Sequence, residues 1–275
     1  MFEQFIRWIK TEIEPPPPWG AYHWAMLALT AAGMVALFAL SPRLRERPRL
    51  VRVLTNCFGG LLLALEVFKQ LFYSVHVGES GVYWEYPWHI FPWQFCSTPA
   101  YACLALFFLP KNSRLRGYVC CFLGTYGAFG GATVLLHPHV VLIEYWFVNI
   151  HTMIWHMSLV LVGVLQWAGG TIPKTLRAFW GGTAVFALFA LVALVLDFSL
   201  PQLAEEGFNM FFISPYAPCT ILFLQELWQS APYPVFLAVY LIGFAAIAAA
   251  IFAAVHGGCA LAGLVRKKVR RIKEK

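Results

Sequence analysis

The chain is short of charge, of patterned cysteine and of strand-like alternation, and each shortage excludes something. Only 12% of its 275 residues are Asp, Glu, Lys or Arg, about half the share of a soluble domain, which excludes an ordinary soluble globular protein. Seven cysteines are present, Cys57, Cys96, Cys103, Cys120, Cys121, Cys219 and Cys259. They form no CxxC pair and no even loop framework, which excludes a disulfide scaffold and a structural zinc site. No series of stretches about ten residues long alternates apolar with polar residues, which excludes a membrane β-barrel. Residues 1–20 have no early apolar core and end in Pro15-Pro16-Pro17-Pro18, so they read as an amphipathic, Pro-rich segment rather than a cleaved signal peptide.

What the chain has is apolar length. It is 60% hydrophobic, with a mean hydropathy of +0.67. Crossing about 30 Å of hydrocarbon takes roughly 20 residues. Seven runs qualify, near 21–40, 51–75, 90–110, 117–136, 143–166, 175–199 and 234–259. Only helices cross singly, because each satisfies its own backbone. The expected fold is therefore all-α: a polytopic bundle of seven transmembrane helices over 21–262, after the segment 1–20 and before a basic tail 263–275.

The cations alternate with the runs. Arg43, Arg45, Arg47, Arg49 and Arg52 follow the first run. Lys111, Arg114 and Arg116 follow the third, and Lys174 and Arg177 the fifth. Arg266, Lys267, Lys268, Arg270, Arg271, Lys273 and Lys275 follow the seventh. The loops after runs two, four and six have none and carry Glu79, Glu85, Glu144, Glu205 and Glu206 instead. Basic loops stay in the cytoplasm, so the N-terminus is expected outside and the C-terminus inside. The net charge of +7 is thus a topology signal that also suits anionic lipid headgroups, and it excludes nucleic acid as a partner. The longest outer loop, 200–233, is rich in Pro and aromatics and reads as a lid or re-entrant piece. Gly127 and Gly131 form a GxxxG step that lets helices pack closely.

Ionisable groups within a span are costly and mark function. Glu66 and Lys69 share a face of the second run, three residues apart. The fifth run holds Asn149, His151 and His156. His151 and His156 lie about 140° apart around a helix, too far to face one point easily, and His156 is the deeper. His137-Pro138-His139 closes the fourth run as a possible metal pair.

The sharpest stretch is His89-Ile90-Phe91-Pro92-Trp93-Gln94-Phe95-Cys96-Ser97-Thr98-Pro99. Pro92 suits a helix's first turn. Cys96 would then lie one turn in, near the positive end of the helix dipole, where a thiolate is favoured. Pro99 lacks a backbone donor and leaves a carbonyl near residue 95 for another partner. A cysteine beside a histidine base is a standard nucleophile. Runs two, three and five all place their polar groups at mid to outer depth, as a cavity open to the outer leaflet would.

The start of this stretch, "FPWQFC", resembles the "LPxHxC" signature of the YwaF-like bacterial integral membrane proteins, which are similar to the eukaryotic transmembrane acyltransferases of ether-phospholipid metabolism. "LEVFKQLFY" (65–73), "FLGTYGAFGGATVLLHP" (122–138), "NIHTMIWHMSLVLVG" (149–163) and "GFNMFF" (207–212) resemble further family segments in the same order. The chain departs from the family at Gln94, where His is common, and at Asn209-Met210, where Asn-Tyr is common, and both departures bear on substrate contacts. The resemblance implies a cysteine acyltransferase of a cell membrane, with no cofactor and no metal. Cys96 would take an acyl chain from a phospholipid as a thioester. His156 would serve as base in both half-reactions, and a lysophospholipid would receive the chain. Glu66, Lys69, Gln94, His151 and Asn209 would support or bind substrate. The Ala-rich, short-looped chain fits a bacterial plasma membrane. Competing readings are a lipid hydrolase with the same pair, a metal-dependent amidase using His137, His139, His151 and His156, and a non-enzymatic lipid or solute transporter or sensor working through Glu66 and Lys69.

Overall fold

In the computed structural model, which describes residues 1–273, the chain is predominantly helical. A short amphipathic helix, α1 (Phe2–Ile9), comes first. It is followed by α2 (Ala21–Ala39), the short α3 (Ser41–Glu46) and α4 (Pro48–Ser74). Pro42 and Pro48 sit in the first turns of α3 and α4, where a missing N–H costs nothing. A hairpin follows, β1 (Val75–Gly78) paired antiparallel with β2 (Gly81–Trp84). Gly81 takes the positive φ of its turn, +109°. Then come α5 (Thr98–Phe108), α6 (Arg114–Phe122), α7 (Ala128–Leu136), α8 (Trp146–Ala168), α9 (Leu176–Ser199), α10 (Leu224–Ser230) and α11 (Tyr233–Lys273). A single π-helical turn, Leu123–Gly127, joins α6 to α7. Of the expected tail 263–275, Glu274 and Lys275 lie outside the described residues.

Six stretches among the described residues are long and apolar enough to cross a membrane: α2, α4, the α6–α7 run Arg114–Leu136, α8, α9 and Tyr233–Gly258 of α11. The expected seventh, 90–110, departs from the sequence reading. Its helix α5 has 11 residues, about 16 Å at 1.5 Å per residue, half the hydrocarbon thickness. The prolines explain this. Phe91, before Pro92, is extended at ψ 133°, as the next ring favours. The helix begins only at Thr98, with Pro99 in its first turn. Irregular backbone at such a place is tolerated because protein surrounds it.

The α6–α7 run and α8 are the inner helices: each is 67% buried over its most apolar window, against 28% or less for the other four. Glycine makes their contact close. A Cβ on Gly131 would stand 2.6 Å from the His156 carbonyl oxygen, and one on Gly163 would stand 2.6 Å from that of Leu123. Gly127, the other half of the GxxxG step, lies against Pro99 instead.

The two ends of the bundle differ. At one end Ser41 Oγ and Arg45 Nε donate to the Ala168 carbonyl, Arg177 Nε donates to Tyr118 Oη, and Arg116 donates to the Leu106 and Leu109 carbonyls. The basic loops 41–52, 111–116 and 174–177 therefore share this end. At the other end Tyr22 Oη donates to the Asn149 carbonyl and His23 Nε2 to that of Leu135. This joins the start of α2 to the end of α7 and the start of α8. α5 occupies the half of the bundle nearer the basic end.

The segment 200–232 is not a loose lid over its length. Phe208, Met210, Phe211, Ile213 and Cys219 are buried in the largest core. Asp197 Oδ1 accepts from Met210 N at 2.8 Å. Phe211 and Phe212 sit at φ +58° and +59°, a conformation bulky residues adopt only when their surroundings hold them.

Candidate functional site

A cavity of about 180 Å³ opens between α4, the turn before α5, the segment 138–145 and α8. Cys96, Glu66, Lys69, His151 and His156 all line it, with Ser97, Thr152 and Trp155. Phe72, Tyr73, Val141, Ile143, Phe147 and Val148 form its apolar wall.

Cys96 lies in the 3₁₀ turn Phe95–Ser97, two residues ahead of α5, not one turn inside a helix begun at Pro92. The backbone around it is tied on every side. Phe95 packs edge-on against Phe186, Phe211 and Phe244. The Phe95 carbonyl, which Pro99 cannot bond, accepts from Thr98 Oγ1 at 2.8 Å. The Cys96 carbonyl accepts from Trp155 Nε1 at 3.1 Å. Its backbone is fixed, and the residue lines the cavity. Among the described residues no other cysteine lines it, and Cys103, Cys120, Cys121 and Cys219 are buried elsewhere.

Both histidines reach the cavity, against the expectation that they diverge. The cavity is a trough against α8, walled by α4 and the 138–145 segment, so it takes in more than one point of the helix. Each ring is pinned by a backbone carbonyl. His156 Nδ1 lies 2.8 Å from the Thr152 carbonyl oxygen, with Thr152 Oγ1 at 3.2 Å. His151 Nε2 lies 2.9 Å from the Leu65 carbonyl oxygen. A carbonyl only accepts, so these nitrogens carry the protons. That leaves a bare lone pair on His156 Nε2 and on His151 Nδ1, neither of which has a hydrogen-bond partner among the described residues. His151 also stacks on Trp155 at 5.8 Å.

Glu66 and Lys69 form an ion pair at 2.7 Å. Gln70 Nε2 donates both to Glu66 Oε1, at 2.7 Å, and to the Ile90 carbonyl, tying the pair to the turn outside the site. Glu66 Oε2 and Ser97 Oγ are buried without a partner, so two polar groups of the cavity have unused bonding capacity. His89 stands just outside; burial, and then the Lys69 ammonium, hold its ring below the usual imidazole range. Removing one member of a buried pair strands the other charge. Lys69→Met is expected to cost about 3–5 kcal/mol, and a Glu66→Gln/Lys69→Met double variant to recover most of that, as read from detergent-solubilised thermal unfolding.

Gln94 and Asn209 do not line the cavity. Gln94 Nε2 donates to the Asn209 carbonyl at 2.9 Å and its Oε1 accepts from Phe211 N. Asn209 accepts from Ser214 N and donates to the Ala217 and Pro218 carbonyls. Both are clamps that fold 209–218 against the turn holding Cys96. His137 and His139 approach each other, ring centres 5.0 Å apart, but neither lines the cavity. Among the described residues no three His, Cys, Asp or Glu side chains converge as a metal site. Ser97, Thr152 and Trp155, like the apolar-wall residues, are lining residues that the sequence alone does not single out. Their signals were present: Ser97 adjoins Cys96, and Thr152 precedes His156 by four, one helical turn.

A helical, multi-pass membrane protein with a thiol and two pinned imidazoles on one internal cavity is the class that this geometry defines. The chain belongs to the TMEM164 family, whose profile matches residues 18–256. No curated protein and no solved structure matches it.

Proposed function

We propose that the protein is a membrane-embedded cysteine acyltransferase that moves a fatty acyl chain between phospholipid and lysophospholipid. The observation that carries this reading is the placement of Cys96 and His156, with its bare Nε2, on one cavity among lipid-crossing helices. The sequence resemblance to the YwaF-like proteins points the same way.

In the first half-reaction His156 Nε2 takes the Cys96 thiol proton as Sγ attacks an ester carbonyl of the phospholipid. The ester C–O bond breaks, and the departing lysolipid oxygen receives that proton. In the second, His156 Nε2 takes the proton of a lysophospholipid hydroxyl. Its oxygen attacks the thioester, the C–S bond breaks, and the proton returns to Sγ. Both steps share one site, which suits lipids entering sideways. The apolar wall of Phe72, Phe147 and Val148 meets the acyl side, and Lys69 and Ser97 offer donors to developing negative charge. The basic end faces the cytoplasm by the positive-inside rule, which opens the cavity toward the outer leaflet of a cell membrane, in our reading a bacterial plasma membrane.

The test is intact-protein mass after incubation with phosphatidylcholine. The expected result is a hydroxylamine-sensitive acyl adduct on the wild type and none on Cys96→Ala, with the adduct lost on adding lysophospholipid and the chain recovered in new phospholipid. Loss to water alone gives the hydrolase instead. Unchanged lipid turnover in Cys96→Ala and in His156→Ala overturns the enzyme reading.

A further inference from the structure

We infer that residues 1–14 form a strap that lies in the membrane–water interface over the cavity wall, with the phospholipid surface itself as its binding partner. The strap precedes the matched family residues, and the inference is independent of any chemistry at Cys96.

Three span ends fix its level. Ile6 and Ile9 are buried with Phe72 and Val75 at the end of α4, and Tyr145, Phe147 and Val148 pack on the same cluster. Trp8 meets Trp146, the first residue of α8, with ring centres 4.7 Å apart, and the Trp8 carbonyl accepts from Trp146 Nε1 at 3.0 Å. Past α1 the chain runs beside the segment that walls the cavity: Glu12 pairs with Tyr145 as a β-bridge, and Ile13 N donates to the Glu144 carbonyl at 2.7 Å. Lys10 Nζ sits over the Phe72 ring, 5.4 Å from its centre. Trp19 and Trp24, ring centres 5.5 Å apart with planes tilted by 54°, mark the start of α2 at the same end. α1 thus lies where membrane-crossing helices begin and end.

Its surface then identifies the partner. At 100° per residue Trp8, Phe5, Ile9, Phe2 and Ile6 share an arc of about 160°, with Glu3, Arg7 and Gln4 opposite. Ile6 and Ile9 face protein. Phe2, Phe5 and Trp8 are exposed, at 59%, 42% and 58%. The polar face is internally paired, Arg7 to Glu3 at 2.9 Å. A helix with an aromatic outer arc and a charged opposite face, lying at the ends of apolar spans, has the form of an in-plane interfacial anchor. The hairpin adds to the same belt: Tyr83 and Trp84 are exposed at its far strand.

The strap touches Phe72, Phe147 and Val148 from outside while those residues line the cavity from within. Seating its aromatic arc in lipid therefore sets one wall of the cavity against the membrane surface.

The experiment places the photoreactive residue p-benzoyl-phenylalanine at Phe5, at Trp8 and, as control, at Gln4. The full-length protein is irradiated in nanodiscs of phosphatidylcholine and phosphatidylglycerol, and intact mass counts adducts. Positions 5 and 8 are expected to yield at least about tenfold more phospholipid adduct than position 4. Equal yields at all three overturn the inference. So does crosslinking of position 5 to a second copy of the chain, which would make the arc a protein interface.

Discussion

His156→Asn is expected to slow acylation of Cys96 by about 10²–10⁴-fold while leaving the fold intact. The asparagine amide nitrogen occupies the place of imidazole Nδ1, so the bond to the Thr152 carbonyl at 2.8 Å is kept. What disappears is the Nε2 lone pair, the group proposed to take the thiol proton. His156→Gln offers a contrast, since its longer amide cannot keep that bond in the same place. Burst amplitude and rate of acyl-adduct formation, followed by rapid quench and intact mass, separate the two effects from simple unfolding. An Asn variant that acylates at the wild-type rate excludes His156 as the base. His151→Gln makes the reciprocal case: its amide nitrogen stands where Nε2 stood, so the Leu65 contact survives, and acylation is expected within about threefold of wild type because the first base is untouched.

Gly131→Val carries the second large effect. The first atom that a side chain adds there meets the His156 carbonyl oxygen at 2.6 Å, Leu159 Cβ at 2.8 Å and Val160 Cγ2 at 3.1 Å. The nearest of these is backbone, so the two inner helices must part. Overpacking of this kind costs about 1–3 kcal/mol for a single methyl and more for a branched chain. The displacement also falls on His156, the proposed base, and a shift of about 1 Å at a reacting group costs on the order of 100-fold in rate. Gly131→Ala is expected to fold with lowered stability and an acylation defect larger than its unfolding accounts for. Gly60→Ala is the control, because a Cβ there meets nothing within 4 Å, and it should be neutral or slightly stabilising. Equal behaviour of the two alanine variants would remove the role given to the α7–α8 contact.

The sequence made much of this legible, for physical reasons that stop at identifiable places. Apolar length announced the six long stretches, and the alternation of cations announced that the basic loops would share one end. The third run misled because hydropathy counts residues and ignores backbone: Pro92 and Pro99 leave only 11 residues helical. Glu66, Lys69, Cys96, His151 and His156 were found because ionisable or nucleophilic groups are rare in apolar runs. Gln94 drew notice beside Cys96 and Asn209 through the family resemblance, yet their polarity is spent on backbone groups of the irregular segments between spans. An amide in a membrane helix and an amide clamping a turn look alike until the chain path is known. The divergence expected of His151 and His156 failed because a helical wheel assumes a point target, whereas the cavity extends along the helix.

The cavity's two sides belong to parts of the molecule with different rates of opening. α8 is inner and mostly buried, and its amide protons should exchange with solvent only on global unfolding. The segment 138–145 has a single 3₁₀ turn and is held by the strap and by the Asn149 side chain, which bonds both N–H and carbonyl of Ile143. Its amides should exchange far sooner. In the proposed reaction a lipid would come and go through the wall that opens cheaply, while the imidazole on the opposite side would keep its aim through every passage.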